Sequence, residues 1–207
     1  SPSHERARNI LAAPLAPDLQ PLVAELDAAL CADPFLADLP GRFLFAVTDA
    51  TGAVLTEPVD AAYQALTPTS GVIRLAGLGM PCARADAVAH LLERARLFLQ
   101  HRAGPRVWNI RDLPADSRVL RGLEPMPVDA AAPLVPGPIG DDLVAGIPLA
   151  MLRADHLTAL ARVTDEVVIT PWRSVVIPGG TRFAQELGDA GFSVTATDPW
   201  ARLSACS

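Results

Sequence analysis

The sequence predicts an α+β protein with two structural regions, because helical and strand patterns alternate in two separate stretches. Residues 9–103 contain two amphipathic helical patterns with three strand patterns between them. Residues 139–198 hold shorter patterns in the order β-α-β-β-α-β. The stretch between them is rich in proline and turn residues, as interdomain linkers are. We therefore expect a first domain over 1–104, a linker over 105–137 and a half-domain over 138–207.

The first region consists of elements bounded by turn-forming residues. Its first helix has apolar residues at helical spacing, with Asp18 as the expected N-cap and Pro34 just beyond its end. In the following strand, Phe43, Phe45 and Val47 alternate with residues that are mostly apolar too, so we expect it to be buried on both faces. The predicted elements are a helix over 17–34, a strand within 39–54, strands at 61–66 and 71–77, and a helix over 84–102.

The second region has the element order of the ferredoxin-like split βαβ motif. Its two helices are expected to begin near Asp155 and at Thr181 as N-caps, and Gly191 is expected to end the second helix at the C′ position. The predicted elements are a strand within 139–149, a helix over 153–164, two β segments within 166–180, a helix over 181–192 and a strand over 192–198.

Composition excludes several classes of function. The 207 residues have a net charge of −6, and every basic residue is an arginine, because the chain contains no lysine. The absence of lysine excludes a Walker A phosphate loop and a Schiff-base lysine. An acidic chain without a basic run predicts no nucleic-acid partner. No apolar run approaches the roughly 20 residues of a membrane span, and no signal peptide opens the chain, so we expect no membrane association and a cytoplasmic location.

The cysteines and histidines show no metal-ligand spacing. Cys31, Cys82 and Cys206 lie far apart without a C-x-x-C pair, which predicts neither a zinc site nor a disulfide framework. Cys31 is expected to pack at the end of the first helix and Cys82 to lie in a turn. The four histidines are scattered, and we expect solvated roles for them.

Four short motifs together indicate a family. They are ARNILAAPLA (7–16), LPGRFLFAV (39–47), VVITPWRSVVIPGG (167–180) and DPWARLSAC (198–206). In this order and spacing they resemble the nitrite/sulfite reductase superfamily, and within it the precorrin-3B synthases of aerobic cobalamin biosynthesis. The resemblance implies a sirohaem/4Fe-4S-type repeat in the first region and a ferredoxin-like half-domain in the second.

The resemblance also implies roles for individual residues. It implies that a tetrapyrrole is bound by Arg8, Asn9, Arg42, Thr170, Trp172 and Arg173. The first three would hold its carboxylates and the last three would line the cleft. Cys206 matches the first of four cysteines that hold a 4Fe-4S cluster in this family. The catalytic residues stay open.

The family pattern implies that the chain is an internal fragment of a longer protein. The first ferredoxin-like half and the cluster-binding C-terminal repeat of the family are not in the sequence. The whole enzyme would be an oxidoreductase of monooxygenase type, with a 4Fe-4S cluster, molecular oxygen and an electron donor protein or reductase. It would hydroxylate C20 of precorrin-3A and form a γ-lactone. We expect no cofactor in this fragment and no activity from it alone.

Departures from the family keep alternatives open. A sirohaem-dependent nitrite or sulfite reductase would place a second cation where Leu44 stands, and it would use lysines that this chain lacks. Sirohaem is therefore the less favoured cofactor. A non-catalytic relative that binds a tetrapyrrole is a second alternative, and an unrelated α+β protein with chance motif matches is a third.

Overall fold

The structure is a computed structural model that describes residues 4, 5, 7, 9–102, 104 and 106–202. The chain divides into two compact units, Ser1–Ala132 and Pro133–Ser207. Both combine helices with a β-sheet, so the α+β class is confirmed. No helix of the described residues is long and apolar enough to cross a membrane.

A six-stranded mixed sheet forms the centre of the first unit. Its strands are β1 (Ile10–Ala12), β2 (Phe45–Thr48), β3 (Ala61–Ala65), β4 (Ser70–Leu75), β5 (Leu78–Ala83) and β6 (Glu124–Pro125), which lie side by side in this order. The first three are parallel and the remaining pairs are antiparallel. Parallel pairing of neighbours places the amino ends of β1, β2 and β3 at one edge of the sheet. The segments that precede these strands therefore meet there.

Two helices cover one face of this sheet, as their apolar periodicity predicts. They are α1 (Gln20–Ala32) and α2 (Ala87–His101). Their buried faces share one apolar cluster with the sheet, which includes Leu22, Leu26, Leu30, Leu91, Phe98, Phe45, Tyr63 and Ile73. The expected cap at Asp18 is wrong. A 3₁₀ turn at Pro17–Leu19 precedes α1, so Leu19 takes the N-cap position without a side-chain hydrogen bond.

The strand patterns do not predict β1, β5 or β6. β1 and β6 are too short to show alternation, and β5 contains a glycine and a proline, which are unfavourable in strands. Ala76 and Gly77 join β4 to β5 with φ values of 48° and 82°. Two consecutive positive φ values are typical of a tight hairpin turn, in which alanine is not expected. Cys82 is buried within β5, so its expected place in a turn is wrong.

Much of the proline-rich stretch packs into the first unit. Ile110, Leu113, Val119, Leu120 and Leu123 are buried in its apolar cluster. The buried Arg94 of α2 fastens this stretch, since its Nη1 donates to the carbonyl oxygens of Val119 at 2.8 Å and Arg121 at 2.9 Å. The boundary between the two units lies at 132/133.

The second unit is a four-stranded antiparallel sheet with two helices. Its elements in chain order are β7 (Gly137–Ile139), β8 (Asp142–Gly146), α3 (Ala154–Val163), β9 (Val168–Ile169), β10 (Ser174–Ile177) and α4 (Ala184–Asp189). The strand order is β7-β8-β10-β9, so β10 lies between β8 and β9. A separate apolar cluster joins the sheet to both helices and includes Leu143, Leu160, Val175, Ile177, Leu187 and Phe192.

Three details of the second region differ from the predictions. The strand expected over 192–198 is reduced to one β-bridge between Ser193 and Gly146. α3 is capped by Arg153 and the side chain of His156, not by Asp155. Thr181 lies inside a 3₁₀ turn and its hydroxyl donates to the Asp142 carbonyl oxygen at 2.9 Å. The expected C′ role of Gly191 is confirmed, since it follows Ala190, the C-cap of α4, with a φ of 99°.

Candidate functional site

Asn9 and Arg42 come together at the amino ends of β1 and β2. The Asn9 Nδ2 donates to the Gly41 carbonyl oxygen at 3.0 Å and lies 3.4 Å from the Phe43 carbonyl oxygen. The Phe45 backbone N–H donates to the Asn9 carbonyl oxygen at 2.9 Å. Two of the six residues predicted to bind the tetrapyrrole are therefore neighbours, and Asn9 holds the backbone on both sides of Arg42.

The Arg42 guanidinium points away from the core. The residue is exposed, and no carboxylate of the described residues forms an ion pair with it. Its carbonyl oxygen accepts a hydrogen bond from Asn109 Nδ2 at 3.2 Å. The backbone of the loop is thus fixed on the protein side, and the charged end of Arg42 faces solvent.

Asp60, which sequence analysis missed, is the buried centre of this arrangement. Its carboxylate accepts hydrogen bonds from the backbone N–H of Leu44 at 2.9 Å, from the backbone N–H of Ile110 at 2.6 Å and from Asn109 Nδ2 at 3.0 Å. It therefore connects the loop before β2, the start of β3 and the segment around 109–110. Burial raises the pKa of Asp60, and the three hydrogen bonds and the charge of Arg111 oppose that rise.

The sequence contains a signal that could have identified Asp60. It stands directly before the wholly buried strand β3, where a charged side chain needs partners. Asn109 carries no such signal, because it lies in the irregular stretch that composition predicts to be a linker. Asn109 and Asp60 are 49 positions apart, so only the fold brings them into hydrogen-bond distance.

In the second unit, Thr170, Trp172 and Arg173 belong to the loop between β9 and β10. The hydroxyls of Thr170 and Ser174 lie 2.7 Å apart and are buried, and the Trp172 backbone N–H donates to Thr170 Oγ1 at 3.2 Å. Thr170 is 6% exposed and its hydroxyl serves the loop itself. Arg173 is exposed with a φ of 56°, and the ring of Trp172 is half-buried.

Two predicted site residues, Arg8 and Cys206, lie outside the described residues. The other cysteines do not fit an iron–sulfur cluster, which needs four thiolates. Cys82 is buried, its Sγ lies 3.1 Å from the Ala83 carbonyl oxygen, and burial raises the pKa of its thiol. Cys31 is half-buried in α1. Among the described residues, no group of three histidine, cysteine or acidic side chains could hold a metal ion.

Two histidines contradict the expectation of solvated roles. His4 is 3% exposed, and its Nε2 donates to the Asp33 carbonyl oxygen at 2.8 Å. His156 is 1% exposed and packs against Phe192, with ring centroids 4.8 Å apart and the rings tilted by 46°. Each is tied to a helix end: His4 beside the C-cap of α1 and His156 at the start of α3.

Chemically, the first-unit site can bind an anion. A guanidinium presents parallel N–H groups that match the two oxygens of a carboxylate. Since its backbone is already ordered by Asn9, Asp60 and Asn109, binding does not have to order the loop. The exposed Arg173 offers the same group in the second unit.

Comparison with known proteins identifies no relative: the chain matches no protein-family model, no curated protein and no solved structure.

Proposed function

We propose that this chain is part of an oxygen-dependent oxidoreductase of the precorrin-3B synthase type, and that its first unit binds carboxylates of a tetrapyrrole through Arg42. The observation that supports this most is the exposed guanidinium of Arg42, which forms no ion pair with a described residue and stands on a loop held by a buried hydrogen-bond network. Biosynthetic tetrapyrroles of this class carry several acetate and propionate arms. An arginine on a fixed backbone suits such a substrate, because bidentate pairing fixes orientation as well as charge.

The net negative charge of the chain favours anion binding by individual arginines over binding by an extended positive surface. The chain is acidic overall, with a net charge of −6, so it has no long-range attraction for polyanions. Recognition of a carboxylate must then come from individual arginines at short range. Nucleic acid, which requires extended positive surfaces, is not proposed as a partner.

The strand order of the second unit supports its proposed identity as a ferredoxin-like half-domain. The connection from β8 through α3 to β9 leaves room for β10, which pairs with both strands in antiparallel register. This is the arrangement of a split βαβ motif. After α4, Ser193 forms a single antiparallel bridge with Gly146 at the end of β8, and β7 pairs with the rest of β8 on the side away from β10.

In the proposed reaction, the whole enzyme hydroxylates C20 of precorrin-3A and closes a γ-lactone, with electrons from a donor protein or reductase in the cytoplasm. Iron chemistry would come from a 4Fe-4S cluster whose ligands this chain does not complete. The part that this chain contributes is binding and orientation. Arg42 would hold a carboxylate, and Asn9 and Asp60 would hold the backbone of the Arg42 loop.

The chain offers a direct binding test. Uroporphyrin, a tetrapyrrole with eight carboxylates, is titrated into the purified chain and followed by its fluorescence and absorption. We expect saturable binding, and we expect Arg42→Gln to weaken it by about tenfold, the loss of one charge-assisted pair of hydrogen bonds. Arg118→Gln is the matched control, because Arg118 is also exposed in the first unit. Equal binding by both variants would exclude Arg42 as the carboxylate ligand.

An activity assay distinguishes the proposed synthase-type enzyme from a non-catalytic relative that only binds a tetrapyrrole. Both bind the tetrapyrrole, but only a synthase-type enzyme, purified without oxygen with its cluster, converts precorrin-3A when oxygen and electrons are supplied. Extractable sirohaem in that preparation, in equal amount to protein, would assign the protein to the reductases instead.

A further inference from the structure

A small cavity opens in the second unit beside the start of α3. Its volume is about 170 Å³. Most of its wall is apolar and comes from Pro148, Leu149, Met151 and Trp200. Gly191 and two polar side chains, Arg153 and His156, form the rest of the lining.

The hydrogen bonds of His156 determine which of its ring nitrogens holds the proton. The Arg153 backbone N–H donates to His156 Nδ1 at 3.2 Å, so Nδ1 is the acceptor and the neutral ring carries its proton on Nε2. Nε2 lies 3.5 Å from Arg153 Nη2. Both atoms are donors, so neither satisfies the other. The buried imidazole therefore directs an N–H next to a guanidinium N–H, and one acceptor group in front of them can bond to both.

Gly191 leaves the space in front of these two donors open. With a φ of 99°, it ends α4, and a Cβ built on it would lie 3.4 Å from His156 Nε2 and 3.8 Å from Arg153 Nη2. Any other side chain would stand where an acceptor must bind.

Arg153 brings a positive charge to the cavity. Among the described residues, one carboxylate forms an ion pair with it: Asp155 Oδ2 lies 3.9 Å from Arg153 Nη2, and the Asp155 and Arg153 side chains are 73% and 61% exposed. An exposed pair of this kind is weak and does not neutralise the guanidinium. The start of the ten-residue helix α3 adds partial positive charge.

We propose that this cavity is a binding site for a carboxylate attached to an apolar body. Arg153 Nη2 and His156 Nε2, 3.5 Å apart, donate to its oxygens. Leu149, Met151 and Trp200, which are 38%, 59% and 47% exposed, contact the apolar part. The site lies wholly within the second unit and does not depend on the function proposed for Arg42.

Two kinds of ligand carry a carboxylate on an apolar body: a tetrapyrrole with a carboxylate arm, and a free small carboxylic acid. The first experiment uses propionate as the probe and propionamide, its neutral amide, as the matched control ligand. Both are titrated into the whole chain, and the NMR signals of the Gly191 amide, the His156 ring and the Trp200 indole are followed. We expect propionate to shift all three saturably and propionamide to leave them unchanged.

A variant then tests the arginine. Arg153→Gln keeps the backbone N–H that orients His156, and we expect it to weaken propionate binding by about tenfold or more. Arg162→Gln, an exposed arginine of the same helix, is the control and should bind as the wild type does. Unchanged spectra outside the cavity show that both variants are folded. Equal shifts with propionamide, equal affinity of Arg153→Gln, or shifts that map elsewhere would overturn the proposal.

Uroporphyrin distinguishes the two kinds of ligand. If Arg153→Gln also weakens uroporphyrin binding, the site takes an arm of the tetrapyrrole. If uroporphyrin leaves the three signals unchanged while propionate shifts them, the site takes a free acid. The Arg42→Gln test concerns the other unit. If one of the two proposals fails, the test of the other can still be interpreted.

Discussion

Asp60→Asn tests whether the buried carboxylate organises the first-unit site. The substitution preserves size and removes one of two acceptor oxygens. In its best orientation the new amide oxygen still accepts from the Leu44 N–H and from Asn109, and the NH₂ group then faces the Ile110 N–H, which was bonded at 2.6 Å. Two donors now meet in a buried position.

The expected cost follows from this geometry. One buried N–H without an acceptor costs about 1–3 kcal/mol, and relief from burying a charge offsets part of it. We therefore expect the first unit to lose about 2 kcal/mol of stability. A loss of about 2 kcal/mol corresponds to a roughly 30-fold change in an equilibrium constant, so the Ile110 amide should exchange with solvent roughly 30-fold faster. The Leu44 amide keeps its hydrogen bond and should change less.

Two measurements check this prediction. Urea unfolding at pH 7 gives the stability of the variant, and hydrogen exchange gives the separate behaviour of the two amides. Asp116→Asn, at an exposed aspartate of the same unit, is the control and should change stability by less than about 0.5 kcal/mol. Stability of Asp60→Asn equal to this control, with no difference between the two amides, would refute the reasoning.

Two further predictions concern stability. Gly71→Ala should destabilise the first unit by about 2–3 kcal/mol in urea unfolding, since a Cβ on Gly71 would collide with the Gln64 carbonyl oxygen and lie 2.8 Å from the Tyr63 ring. For Asp33, burial acts to raise the pKa, but hydrogen bonds, first that of Arg96 Nε at 2.6 Å, lower it overall. A lowered pKa means that the stabilisation is present above about 3.9 and is lost as the pH falls through the folded-state value. Arg96→Gln should therefore flatten the acid limb of a plot of stability against pH.

Gly71→Ala has a matched control in the second unit. Gly188→Ala lies in α4, where a Cβ meets nothing closer than Val194 at 3.4 Å, and it should be neutral or stabilising. If Gly71→Ala behaved like Gly188→Ala, the close approach of β3 and β4 would not hold in solution. A wild-type acid limb in Arg96→Gln would show that the Arg96 hydrogen bond does not hold the Asp33 pKa down.

The local pattern of apolar residues was enough to predict several of the helices and strands. The helices α1, α2 and α3 and the strands β2 and β3 fall within their predicted stretches, and β4 begins one residue before its predicted stretch. The pattern did not predict elements that consist of few residues or that depend on unusual backbone angles. The Ala76–Gly77 hairpin lacks the asparagine or aspartate that signals such turns, and the strand expected after α4 is a single bridge.

The sequence by itself determined the class of this protein, its main elements and its restriction to arginine for binding anions, because these depend on composition and on spacing along the chain. Tertiary structure decided which polar groups act together. The Asp60–Asn109 contact spans 49 positions, and the His156–Gly191 approach joins the start of one helix to the end of another. Such pairs form only when sheet order and helix packing bring distant segments together, and no local pattern records that distance.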